Sequence, residues 1–167
     1  ILLLFFWEAL LLTLFGMIVI GHKGAFPTAV KAFVISGVAD LCMMAGVALT
    51  VYLAGTATLS EIHHMAMGKL AALAFVLLMI GATAKAGAMP FHSWIPDAAV
   101  DAPLPFMALV PAALEKLLGI YFLARISLDL FDLEAHSWLS IILMVLGCAT
   151  ILLAVMMALI QKDYKRL

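Results

Sequence analysis

Residues 139–160 read LSIILMVLGCATILLAVMMALI, a run without Asp, Glu, Lys, Arg or Pro. About 20 apolar residues in a helix rising 1.5 Å each cross the roughly 30 Å hydrocarbon core of a bilayer. A stretch this long and this free of charge therefore reads as a membrane-crossing helix. The remainder agrees with it. Of 167 residues, 67% are apolar and 11% are charged, whereas a soluble domain is about half apolar and a quarter charged. The excess of apolar side chains does not fit inside one aqueous core.

At about 20 residues per crossing, the apolar complement suffices for five spans. We place them at 1–20, 32–53, 69–89, 106–125 and 139–160, in one transmembrane domain covering 1–167. Only helices satisfy every backbone N–H and C=O within a single span, and the alternating segments of a membrane β-barrel are absent. The fold class is thus an all-α polytopic bundle.

Gly21, His22, Lys23, Gly24 and Pro27 carry the turn signals that end the first span. The third is broken between Lys85 and Pro90, because proline lacks an amide donor and its ring disfavours the preceding turn. The stretch 91–105, with Pro96, Pro103, Pro105, Asp97 and Asp101, reads as an interfacial loop holding one short helix. An acidic loop containing Asp129, Asp132, Glu134 and His136 precedes the last span. Lys23, Lys31, Lys162, Lys165 and Arg166 share one side, against Lys69 and Arg125 on the other, so the first side reads as cytoplasmic. With no initiator Met and no leader pattern, the chain reads as an internal fragment.

Several function classes drop out. A net charge of −1 and dispersed Lys and Arg leave no nucleic-acid stripe. Cys42 and Cys148 sit in apolar runs, where a thiol behaves as a small hydrophobe. His22, His63, His64, His92 and His136 fall at span ends or in loops, so no pair occupies matched depths for haem. His92 with Asp97 and Asp101 lacks further ligands for a metal. No cofactor or metal site is expected, and the methionines read as packing filler or lipid-facing side chains.

The informative residues are the charges inside the spans: Glu8, Asp40, Lys85, Glu115 and Lys116. On insertion scales each costs at least about 2.5–3.5 kcal/mol at a helix centre, and such groups line ion paths or pair with one another. Lys31, at a span end, reads as a snorkelling anchor. Asp40 taken alone admits a structural as well as a functional role. Lys85 has no carboxylate one turn away on its own helix, so its partner must come from another helix or from water. Glu8 is the expected partner. Glu115 and Lys116 point about 100° apart and must face different neighbours. The small residues around Lys85 permit close packing, and the broken helix frees carbonyls to line a narrow hydrated cavity. The protonation of a buried amine follows the approach and withdrawal of a carboxylate. Conformational change could therefore drive proton uptake and release at Lys85.

Residues 81–125, GATAKAGAMPFHSWIPDAAVDAPLPFMALVPAALEKLLGIYFLAR, closely resemble the signature of the antiporter-like, proton-conducting membrane subunits of respiratory complex I. The same family includes multisubunit Na+/H+ antiporters and the membrane arms of energy-converting hydrogenases and formate hydrogenlyases. Phe6-Trp7-Glu8, Lys31-Ala32-Phe33 followed by Asp40, and Gln161-Lys162-Asp163-Tyr164-Lys165-Arg166 are similar to further family elements in the same order. The resemblance implies that Glu8 is the family's key glutamate, Lys85 the lysine of its broken helix and Lys116 the lysine found on the next helix in several branches. It also implies that this chain spans most of one five-helix repeat of a longer protein with two inverted repeats. Many complex I members carry a His where this chain has Pro111, which leaves the proton step of that His without a residue here. The run 114–121, LEKLLGIY, looks more like the hydrogenase branch.

The expected function is proton translocation by a subunit of a redox-driven pump of the energy-converting hydrogenase or complex I type, through Glu8, Asp40, Lys85, Glu115 and Lys116. Its partners would be the other membrane subunits and the lipid bilayer, its ion H+ or Na+, and its location a prokaryotic cytoplasmic membrane. The rivals are a stand-alone or multisubunit Na+/H+ antiporter, a passive membrane anchor, and a membrane enzyme with its own metal centre.

Overall fold

A computed structural model describes residues 2–134 and 137–166. Ile1, where the first span was expected to begin, the loop residue His136, and Leu167 lie outside the described residues. Five helical segments are long and apolar enough to cross a membrane, and the described residues form no extended strand, only an isolated bridge between Met65 and Phe131.

Helix α1 (Leu2–Val19) buries Trp7, Leu11, Leu14 and Ile18, spaced three or four apart and so on one face. Its exposed surface is mostly apolar, including Leu2, Phe5, Phe6 and Leu12, as lipid contact requires. Helix α2 (Phe26–Ala54) starts earlier than the expected Ala32. Pro27 sits in its first turn, where an amide hydrogen would have no intrahelical acceptor, so it begins the helix rather than preceding it. The buried face of α2 is mostly small: Ala29, Ala32, Ser36, Ala39 and Gly46 accompany Asp40, Met43 and Thr50.

Helix α3 (Lys69–Ala86) ends before Pro90. Gly87 takes up the left-handed conformation at φ 74°, and the Ala88 amide reaches back to the Thr83 carbonyl at 2.9 Å, the backbone closure that terminates many helices at glycine. A cis Met89–Pro90 peptide follows, then a 3-10 turn at Phe91–Trp94 and helix α4 (Ile95–Asp101). The stretch 91–105 was expected as an interfacial loop holding one short helix, and α4 is a short helix within it; it continues the discontinuous segment Lys69–Asp101 and packs against α2.

The next span, Leu104–Leu130, is continuous but changes pitch. Helix α5 (Leu104–Leu109) passes into a π-helical turn at Val110–Leu114, then α6 (Glu115–Arg125) and a second π turn at Ile126–Leu130. Pro111 accounts for the first widening, since its ring would collide with the carbonyl four residues back in a regular α-helix. Helix α7 (Trp138–Ile160) is capped by the Ser137 hydroxyl, which accepts from the Ser140 amide at 3.3 Å. Only Leu139 of α7 is buried, and the Thr150 hydroxyl accepts from the Met89 amide at 3.3 Å.

Helices α2, α3 and α6 form the tightest packing, with α1 laid against α2. Glycine sets the separation on both sides of α3. A Cβ on Gly81 would lie 2.5 Å from Met43 Cβ, and one on Gly119 would lie 2.5 Å from the Ala86 nitrogen. Two apolar clusters result, one around Trp7, Met43, Phe75, Leu78 and Phe122 and one around Leu14, Ile18, Ala29, Trp94 and Phe106. Along α2 the buried Asp40 falls between them.

Candidate ion-translocation site

Lys85 projects from the last turn of α3, just before the helix breaks, into the space between α1, α2 and α6. Its Nζ lies 3.7 Å from Asp40 Oδ2 and 3.9 Å from Glu115 Oε1. It donates to the Trp7 carbonyl at 3.3 Å and sits 5.2 Å from the centre of the Trp7 ring, within range of a cation–π attraction. The Trp7 indole N–H donates to Asp40 Oδ1 at 2.7 Å. Asp40, Lys85 and Glu115 are between 2% and 4% exposed.

Four segments thus contribute to one buried polar cluster. The sequence explains how. Gly81 and Gly119 let α2 and α6 approach α3 on either side of Lys85, and the π turn at Val110–Leu114 brings Glu115 to the inward face. Neither ion-pair distance reaches hydrogen-bond length, so the ammonium is suspended between two carboxylates rather than locked onto one. Two acids and one amine this close in a region of low dielectric are electrostatically coupled, because a change of charge on one is felt by the others.

Glu8, the partner expected from the sequence, does not pair with Lys85. Trp7 points inward, and Glu8 follows it by about 100° around α1. Glu8 is half-buried, and its Oε1 is buried without a hydrogen-bond partner. Asp40 Oδ2 likewise accepts no hydrogen bond. Such orphaned oxygens are costly to keep buried, by about 1–3 kcal/mol each. Asp40 and Glu115 take the place assigned to Glu8 beside the amine.

Lys116 is exposed while Glu115 is buried, the two side chains leaving α6 about 100° apart. It lines a groove with Ile95, Pro96, Lys165 and Arg166 and does not join the Lys85 cluster. Lys31, expected as a snorkelling anchor at a span end, donates from Nζ to Asp97 Oδ2 and to the Ser93 carbonyl, both at 2.8 Å. Asp101 accepts from Thr28 at 2.5 Å and lies 3.0 Å from His22 Nε2. Asp97 and Asp101 are therefore committed to tying α4 to the start of α2.

Trp7 is a site residue that the charges alone do not point to, although it stands within the Phe6-Trp7-Glu8 element. The available signal was chemical: an indole N–H inside a membrane needs an acceptor, and Asp40 is the acidic residue of the neighbouring span.

All of residues 1–167 match the family described as NADH:quinone oxidoreductase/Mrp antiporter, transmembrane. The chain belongs to this family. Among curated proteins, the chloroplastic NAD(P)H-quinone oxidoreductase subunit 5 of Acorus calamus is 34% identical over 176 residues, covering 96% of this chain and 23% of the relative. The same subunit of Zea mays is 32% identical over 175 residues, 97% of this chain and 23% of the relative. NADH-quinone oxidoreductase subunit L of Campylobacter jejuni is 35% identical over 140 residues, 82% of this chain and 23% of the relative. The chain thus spans about a quarter of the length of these relatives, and it is an integral membrane member of the antiporter-like family.

Proposed function

We propose that this chain is the proton-conducting part of an antiporter-like membrane subunit in a redox-driven pump, with Lys85 as the central proton carrier. The observation that carries the reading is the Lys85 ammonium held between Asp40 and Glu115 at the point where its helix ends. A proton leaves Nζ for one of the two carboxylates as the amine becomes neutral, and a proton arriving from the other side restores the ammonium. Trp7 fixes Asp40 in place through its indole N–H, so that movement of α1 is felt at the amine. Glu8 and Lys116 lie outside this cluster and are assigned to the approaches on either side of it.

The partners would be the other membrane subunits of the complex, and the redox chemistry would reside in them. The names of the relatives favour a quinone-linked oxidoreductase, while the run 114–121 favours a hydrogenase-type partner. A bacterial relative and the excess of Lys and Arg at one end of the bundle support a prokaryotic cytoplasmic membrane with that end facing the cytoplasm. A Na+/H+ antiporter is the second reading. The two carboxylates and the Trp7 carbonyl present oxygen atoms, which suit a hard cation.

Reconstitution of the intact complex in vesicles tests both. Lys85→Ala should abolish donor-driven acidification while the complex still assembles and oxidises its donor. Unchanged acidification would reject the proposal and leave the passive-anchor reading. Ion movement without an electron donor, driven by a sodium gradient alone, would favour the antiporter.

A further inference from the structure

Three basic residues outside the Lys85 cluster converge on one place. Lys116, Lys165 and Arg166 line an open groove of about 320 Å³ whose walls include Ile95, Leu104 and Met107. A second groove of about 190 Å³ also contains Lys116 and Arg166, together with His92 and Gln161. Among the described residues no carboxylate lines either groove. Asp97 is engaged by Lys31 at 2.8 Å and reaches Arg166 at 3.9 Å, and Asp163 Oδ1 accepts from the Lys165 amide at 3.0 Å. The guanidinium is thus left with donors to offer, and guanidinium matches phosphate geometry with paired N–H groups.

The position matters as much as the charge. Lys165 and Arg166 follow the end of α7 at Ile160, so they lie at a membrane–water boundary. The groove runs from there along α5 toward Lys116, and the exposed side chain of Leu104 lines it. Cations at the rim with apolar walls extending into the span suit a molecule with an anionic head and a hydrocarbon tail, and basic pockets between transmembrane helices bind such headgroups. A soluble anion would gain nothing from the apolar wall.

We propose that this groove binds the phosphate of an anionic phospholipid, with Arg166 and Lys165 holding the headgroup and Lys116 reaching down to it from α6. Its acyl chain lies along α5 between Leu104 and Met107. The bound lipid joins the C-terminal segment to α4 and to the π turn that presents Glu115.

The test uses the intact complex, delipidated in detergent and then titrated with phosphatidylglycerol, with phosphatidylcholine, or with inorganic phosphate, and read by native mass spectrometry. Phosphatidylglycerol should be retained about tenfold more strongly than phosphatidylcholine. Lys165→Ala combined with Arg166→Ala should erase that preference, while Lys162→Ala, which removes a cation outside both grooves, should keep it. Arg166→Gln is measured beside the double variant, since it retains the side chain's bulk, and it should weaken retention severalfold. Equal retention of the two lipids by the unaltered protein, or undiminished preference in Arg166→Gln, would overturn the proposal. Displacement of phosphatidylglycerol by inorganic phosphate at equal concentration would also overturn it and assign a soluble phosphoryl ligand instead.

Discussion

The Trp7 indole N–H donates to Asp40 Oδ1 at 2.7 Å, leaving the other oxygen of the same carboxylate to face Lys85 at 3.7 Å. One side chain therefore decides which half of the acid is available to the amine. Trp7 packs edge-on against Phe122 with ring centres 5.3 Å apart, so the indole is held by α6 as well as by its hydrogen bond.

Trp7→Phe should keep most of the apolar packing and lose the donor. With Asp40 Oδ1 left buried and unpaired, stability should fall by about 1–3 kcal/mol. Thermal unfolding of the detergent-solubilised complex measures the loss, and pumping should fall with it because Asp40 is then free to turn away from Lys85.

Removing the amine should be more damaging than removing the whole group. Lys85→Met leaves two facing carboxylates without a counter-charge, and breaking a buried pair in this way costs about 3–5 kcal/mol. Adding Asp40→Asn and Glu115→Gln should recover part of that stability without restoring proton transport. A thermal-stability cycle across these variants reads the coupling directly.

Gly119→Ala adds one methyl group where α3 and α6 meet backbone to backbone. The new Cβ would lie 2.5 Å from the Ala86 nitrogen and 2.7 Å from the Ala82 carbonyl oxygen. The helices must separate, and overpacking of this kind costs about 1–3 kcal/mol. Because Glu115 sits one turn away on α6, pumping should fall as well. A variant with normal stability and normal pumping would contradict the close contact.

Lys116→Met should behave differently from Glu115→Gln although the residues are adjacent. Lys116 is exposed and makes no ion pair with the cluster, so its loss should shift stability by no more than about 0.5 kcal/mol. Glu115 is buried 3.9 Å from Lys85, and Glu115→Gln should lower both stability and transport. Equal thermal shifts in the two variants would contradict the placing of Glu115 in the cluster and Lys116 outside it.

Much of the bundle was legible because lipid makes a strict demand on composition. An uncharged run such as 139–160 must be a helix, and the charges at 8, 40, 85, 115 and 116 stood out against the apolar background. The break after Lys85 was legible from Pro90 and the small residues before it, although Gly87 is what ends the helix. The start of α2 was misplaced because Pro27 reads as a turn signal in sequence and acts as a first-turn residue in space. In the stretch 91–105 the prolines and acids marked an interfacial loop holding one short helix, and Pro96 opens such a helix, α4, but only the fold shows that Asp97 pairs with Lys31 and that Asp101 meets His22.

By itself the sequence determined that the chain crosses a membrane as helices, where one of them breaks, and which charged groups lie within the spans. These follow from local chemistry, since hydropathy, proline and glycine act within a few residues of themselves. Only the tertiary structure decided which acids stand beside Lys85, because that depends on the rotation of each helix about its axis and on how closely backbones approach. A single residue of rotation put Trp7 inward in place of Glu8, and a π turn at Val110–Leu114 presents Glu115 to the amine and leaves Lys116 on the outer face.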